Sequence, residues 1–151
     1  METKLKLQKE LKFAVENVDK IRKKIEALEL KNKPKSIMDM VKSFKDACEL
    51  KKVKSNSIFN KKDTVDEKAY KKLKFITKVL NEDYVFNMNP DEYRYFAWFY
   101  ISAGSGFVFV NAGYNNSFAG AASASRLCFK TEELAKHAAT YFLQEYKDFI
   151  M

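Results

Sequence analysis

Between Tyr93 and Ile101 every residue but Arg94 is aromatic or apolar, and after Gly104-Ser105-Gly106 a second such run follows at Phe107-Val108-Phe109-Val110. Aromatic and β-branched side chains suit a pleated surface and a glycine-bearing break suits a reversal, so the two runs predict a β-hairpin. The region is also where the rings are: twelve of the chain's 22 aromatic residues lie between Tyr84 and Phe118. Each buried ring takes a large area out of water, so this one stretch can anchor a small core. Ala112 to Ala124 reads as a loop of small residues. A third strand is expected at about Ser125 to Phe129, and Thr131 then caps a last helix with Glu132 and Glu133 at the positive end of its dipole. That helix is expected to continue to about Phe149 and to lie across the sheet. Alternation along the strands leaves some of Tyr93, Tyr95, Phe99, Phe107 and Phe109 on the face away from the helix, to serve as core, protein interface or stacking surface.

Upstream the hydrophobic period is that of helices. Residues 4–28 keep a heptad with Leu11, Val18 and Ile25 at one core position and Leu7, Ala14, Ile21 and Leu28 at the other, a preference suited to a two-stranded coil. Either this seam packs back on the rest of the chain or it pairs with another helix, as a homodimer through residues 4–28 or with a protein partner. Leu7, Leu11, Val18, Ile21, Ile25 and Leu28 are the candidate interface. The flanking positions offer one attractive spacing, Lys24 with Glu29, so pairing is weakly specified. Pro34, after Asn32-Lys33, is expected to stop the helix. Ser36, Ser43 and Thr64 are predicted N-caps, and Thr64-Val65-Asp66-Glu67 has the full capping-box pattern. The helix it opens carries Ala69, Leu73, Ile76 and Leu80 on one face and should end near Asn81. Lys51 to Lys62 reads as a polar loop anchored by Ile58 and Phe59. The chain therefore reads as α+β: N-terminal helices followed by a three-stranded antiparallel sheet packed by a C-terminal helix. A heptad helix occupies residues 1–33 and a single domain residues 36–151.

The net charge of +8 is unevenly placed. Residues 1–35 carry 11 Lys/Arg against 6 Asp/Glu, residues 36–81 carry 12 against 6, and residues 82–151 carry 5 against 8. Attraction to a polyanion is thus expected to run through the helices. Lys51, Lys52, Lys54, Lys68, Lys71, Lys72, Lys74 and Lys78 are the candidate nucleic-acid-binding residues, as a positive surface that neutralises phosphates without sequence choice. The bland alternative is a solvated face. Arginine, the better base-reading side chain, occurs three times, which argues against sequence-specific recognition.

Catalysis is not expected. It needs convergent ionisable groups, and the single histidine, His137, sits among Ala135, Ala138 and Ala139. Cys128 and His137 match no zinc spacing and Cys48 is distant in sequence, so neither metal nor cofactor is expected. Both cysteines lie in apolar patterns and read as buried free thiols. Gly104-Ser105-Gly106 has neither a nucleophile elbow's surroundings nor a phosphate loop's lysine. No run of eighteen apolar residues occurs and Met1 to Lys6 lead into a charged pattern, so a cytosolic location and no membrane partner are expected. Asn115-Asn116-Ser117 is then a sequon only formally.

Ser43-Phe44-Lys45-Asp46-Ala47-Cys48, Leu80-Asn81-Glu82, Tyr95-Phe96-Ala97-Trp98-Phe99, Ser125-Arg126-Leu127-Cys128-Phe129-Lys130-Thr131 and Tyr146-Lys147-Asp148-Phe149 resemble, in order and spacing, a family of small proteins encoded by phages and prophages of gut bacteria. The resemblance covers roughly residues 36–151 and leaves out the heptad helix. Family members tend to show proline at Ala97 and Val-Gly at Ala122-Ser123-Ala124. The likeness implies a phage accessory protein in the cytosol of a bacterial host and brings no catalytic or binding residues with it. Two roles follow from the residues: weak nucleic-acid binding through basic helices, or a protein-interaction module, virion component or host-defence antagonist that uses the aromatic sheet and the heptad helix. Phe129-Lys130-Thr131-Glu132-Glu133-Leu134-Ala135 is similar, more loosely, to β-β-β-α DNA-binding modules of the AP2 and integrase arm type. Those need arginines along the sheet, and here only Arg94 and Arg126 are offered.

Overall fold

The computed structural model describes residues 2–32, 35–87, 89–104, 106–116 and 126–151, with backbone alone at residues 2 and 30–32. The expectations for Pro34, for Ser105 in the hairpin turn, and for residues 117–125, including the sequon's Ser117 and the start of a third strand at Ser125, lie outside them. The chain divides into two compact units, Met1–Lys35 and Ser36–Met151.

The first unit is one helix, α1 (Glu2–Asn32), of 31 residues, about 46 Å long at the standard rise. A single helix cannot bury its own apolar stripe. Leu7, Leu11, Val18, Ile21, Ile25 and Leu28 are 49–66% exposed.

The second unit is α+β. It opens with α2 (Ile37–Met40), α3 (Phe44–Leu50), a 3-10 turn at Ser55–Ser57 and α4 (Val65–Leu80). The cap residues act as their chemistry demands. Ser36 Oγ accepts from the Asp39 N–H at 3.2 Å while the Asp39 carboxylate accepts from the Ser36 N–H, and Thr64 and Glu67 make the same reciprocal box. Asp46 departs from it: its carboxylate accepts from the Lys42 N–H at 3.0 Å, and that bond, with one from Ser43, holds its pKa below the ordinary value. Phe59 packs on Phe44 with centroids 6.0 Å apart, anchoring the expected loop.

The exit of α4 is a Schellman turn. The Glu82 N–H bonds Val79 O at 2.9 Å and the Asp83 N–H bonds Lys78 O at 3.0 Å, the pairing that satisfies a helix's last carbonyls. Glycine usually fills the left-handed position, yet Glu82 and Asp83 take φ of 55° and 62° in succession. Side chains at positive φ cost about 1–2 kcal/mol each, so this turn is strained.

The hairpin forms as β1 (Arg94–Ser102) and β2 (Gly106–Asn115), antiparallel. Gly106 has φ of 72°, which its missing side chain permits. The second strand runs beyond the Phe107–Val110 expected of it, because Ala112, Gly113 and Tyr114 pair with Ala97, Phe96 and Tyr95. At Gly113 an added Cβ would strike the Trp98 indole, so its smallness seats a ring. A register shift between Trp98 and Phe99 leaves Val110 as the extra residue of a bulge. One face carries Tyr95, Phe99 and Phe107 into the core, with Phe99 stacked on Phe107 at 4.7 Å and tilted against Tyr146 at 4.8 Å. Of the rings expected to stay open Tyr93 is exposed, and the open face of the strands also carries Trp98, Tyr100 and Val108.

The expected third strand does not form. Among the described residues the sheet has two strands, and Phe129 meets β1 in a single bridge to Tyr95. On the side away from β1, Cys128 O accepts from Asn81 Nδ2 at 2.9 Å and the Lys130 N–H donates to Asn81 Oδ1 at 3.0 Å, so a side-chain amide satisfies the groups that this segment turns away from the sheet. Thr131 then caps α5 (Glu132–Tyr141) through the Leu134 N–H. The β-β-β-α likeness loses its third strand with this finding.

The last helix is also broken, into α5 and α6 (Leu143–Ile150), at Phe142 with φ −120° and ψ 31°. Thr140 Oγ1 bonds Lys136 O at 2.8 Å, the back-bonding that bends helices. The break lets α5 lie on both strands while α6 runs along α4. The fully buried centre is Phe129, Phe142, Leu73, Ile76 and Leu80.

Candidate nucleic-acid interface

The eight candidate lysines are divided between the exit of α3 and α4. On α4 the core stripe Ala69, Leu73, Ile76 and Leu80 leaves the rest of the circumference to Lys68, Lys71, Lys74 and Lys78, with Lys72 at its border, but their heads are differently engaged. Lys71 Nζ pairs with Asp63 at 2.7 Å, lowering that carboxyl's pKa. Lys72 lies 5.6 Å over the rings of both Phe44 and Phe59. Lys51 hydrogen-bonds Asp83, which Lys78 also approaches at 3.7 Å. Both hold the Asp83 pKa below its ordinary value, the Lys51 bond most. Lys52 has φ of 53° at the exit of α3, where with Lys54 it lines a hollow of ≈ 490 Å³ beside Phe44 and Cys48. Lys68 and Lys74 have no carboxylate within ion-pair distance among the described residues.

A cleft of ≈ 640 Å³ gathers what the sequence holds apart. Its α4 wall is Lys74, Thr77, Lys78 and Asn81, which recur at i, i+3, i+4 and i+7 and therefore share one stripe. Its second wall is Tyr84 and Phe86, and from the acidic half of the chain come Arg94 and Arg126. Folding thus sets two arginines of the acidic half in one cleft with Lys74 and Lys78.

Each group in the cleft has a definite state. Arg94 is committed to structure, donating to Asn116 O at 2.8 Å and Asn87 O at 2.6 Å and covering Phe86 at 5.6 Å. Arg126 is exposed. Tyr84 is 46% exposed, yet its hydroxyl donates to Glu92, and that bond raises the phenol pKa. Glu92 is itself fixed, accepting from the Asn87 N–H at 3.1 Å and pairing with Arg94 at 3.6 Å. Thr77 is 2% exposed and its Oγ1 has no hydrogen-bond partner among the described residues, a state that costs about 1–3 kcal/mol.

No known protein family, curated protein or solved structure matches this chain. The chemistry of the cleft must be argued from its own groups. It has cations on two walls, an open ring and a neutralised carboxylate, which suits an anion with an aromatic part. It lacks the grouped donors of a metal centre: among the described residues no three His, Cys, Asp or Glu side chains could hold an ion. His137 is engaged elsewhere, its Nε2 2.6 Å from Val41 O and its ring 4.6 Å from Tyr141. Cys48 and Cys128 are both buried, and burial raises the Cys48 pKa. Among the described residues no helix is long and apolar enough to cross a membrane.

Sequence reasoning missed Arg94, Arg126, Tyr84, Phe86, Thr77 and Asn81 as site residues. The polar stripe at positions 74, 77, 78 and 81 was available as a signal; the arginines' arrival beside it depends on tertiary folding.

Proposed function

We propose that the protein is a non-enzymatic binder of nucleic acid that engages phosphates without sequence choice, through Lys74, Lys78 and Arg126 at the cleft and Lys68 further along α4. The observation that supports this most is the convergence on one cleft of cations from both halves of the second unit. Phosphate neutralisation releases counterions, so affinity is expected to fall linearly with the logarithm of salt concentration. Titrating labelled DNA and RNA against the full chain at several salt concentrations tests it. Lys74→Gln and Lys78→Gln should each weaken binding and reduce the salt slope by about one, whereas Lys72→Gln, whose head is seated on rings, should change the slope less. Absence of binding at low salt would sink the reading. In keeping with the likeness to phage- and prophage-encoded proteins, the proposed setting is the cytosol of a bacterial host.

A second reading, as an interaction module, is favoured by the exposed seam of α1 and by Trp98, Tyr100 and Val108 on the open hairpin face. Its specific form is a homodimer through residues 4–28. Sedimentation of the full chain should give a dimer mass, and Leu11→Glu with Val18→Glu should return the monomer, because charge at core positions of a coil is not tolerated. Monomers in both cases would remove the seam from consideration.

A further inference from the structure

We infer that the cleft between α4 and Tyr84 is a seat for one unpaired nucleotide, with its base stacked on the Tyr84 ring and its phosphate held by Lys74, Lys78 and Arg126. The inference rests on the nucleic-acid reading above and adds a preference for single strands. Three observations carry it. The first is size: a cleft of ≈ 640 Å³ falls within the range of about 300–1,000 Å³ that small-ligand sites occupy.

The second is the condition of Tyr84. An exposed ring on a loop is ordinarily mobile and loses freedom when a ligand stacks on it. Here the phenol tip is tied to Glu92, and Glu92 to the Asn87 N–H and Arg94, while nearly half of the residue stays open. The neighbouring Phe86 ring stands at 89° to it and is covered by Arg94, so Tyr84 is the ring with area to offer. A stacking surface fixed before binding spares the ordering cost, and base–aromatic stacking tolerates any base.

The third is the placement of charge and strain. Asp83 stands in the cleft and would repel a phosphate, but the hydrogen bond from Lys51 neutralises it. Glu82 and Asp83 hold consecutive left-handed conformations at the turn that delivers Tyr84, and strain of this kind gathers at ligand sites. A duplex has no free ring face to present, so paired bases cannot use the seat.

The test compares probes of equal charge on the full chain by fluorescence anisotropy at one low salt concentration: an oligothymidylate, a strand of the same length whose sugars carry no bases, and a duplex, with an oligouridylate arm to separate RNA from DNA. The based single strand is expected to bind about tenfold more tightly than the abasic one. Tyr84→Leu should remove that difference, whereas Tyr84→Phe, which keeps the ring, should retain most of it. Equal affinity for based and abasic strands in the unaltered protein would overturn the seat while leaving phosphate binding standing. Failure of every probe to bind would overturn both.

Discussion

Phe129→Ala is expected to lower the folding free energy by about 3–5 kcal/mol, the usual cost of deleting a large buried ring. Phe129 is 0% exposed and belongs to the same buried cluster as Leu73, Leu80, Leu134 and Phe142. Its backbone cannot give way to fill the void, because its N–H and C=O both bond Tyr95, at 2.7 and 2.9 Å. Domains of this size are stable by about 5–15 kcal/mol, so the loss is a large share of the whole. Urea unfolding followed by circular dichroism should show the midpoint fall with the slope unchanged. A loss under about 1 kcal/mol, the scale of ordinary surface substitutions, would mean that Phe129 is not at the centre of the core.

Asn81→Ala is expected to cost about 2–4 kcal/mol, although it removes only a small side chain. Asn81 is 3% exposed and satisfies Cys128 O and the Lys130 N–H together. Deleting the amide removes both hydrogen bonds, one to a buried carbonyl and one from a part-buried N–H, and each loss costs about 1–3 kcal/mol. Asn81→Asp separates the two bonds: the carboxylate still accepts from Lys130 but stands against the Cys128 carbonyl, so it should destabilise at neutral pH as well. The control is Lys130→Ala, which keeps both backbone bonds and gives up only the exposed pair with Glu82 at 2.6 Å, worth at most about 1 kcal/mol. An Asn81→Ala variant no less stable than that control would show that the amide does not hold the segment.

These two residues mark where sequence reading succeeded and where it stopped. Thr64, Ser36 and Thr131 were legible as caps because a cap is a local arrangement of a side chain and the first turn, and the end of α4 near Asn81 was legible for the same reason. The hairpin was announced by its rings. The single bridge found in place of the third strand was not, since it depends on where folding sets Phe129 against Tyr95. The length of β2 was hidden by Asn111 to Gly113, whose small and polar character resembles a loop until Trp98 is seen over Gly113. The break at Phe142 was masked by an unbroken apolar stripe. For the candidate site, the lysines of α4 were visible and their engagement was not: Lys71 and Lys72 are tied down by Asp63 and two rings, and Arg126 counted as part of an acidic segment until folding set it beside Lys74.

Trp98 is the chain's one tryptophan, and it lies 56% exposed on the open side of the hairpin, over Gly113. Its emission therefore begins in a wet environment and changes little when the core melts, so tryptophan fluorescence is a poor gauge of unfolding here. The same position makes it a selective optical reporter: a body that settles on the hairpin dries the indole and shifts its light to the blue, while a nucleotide held beside Tyr84 leaves it dark to the event.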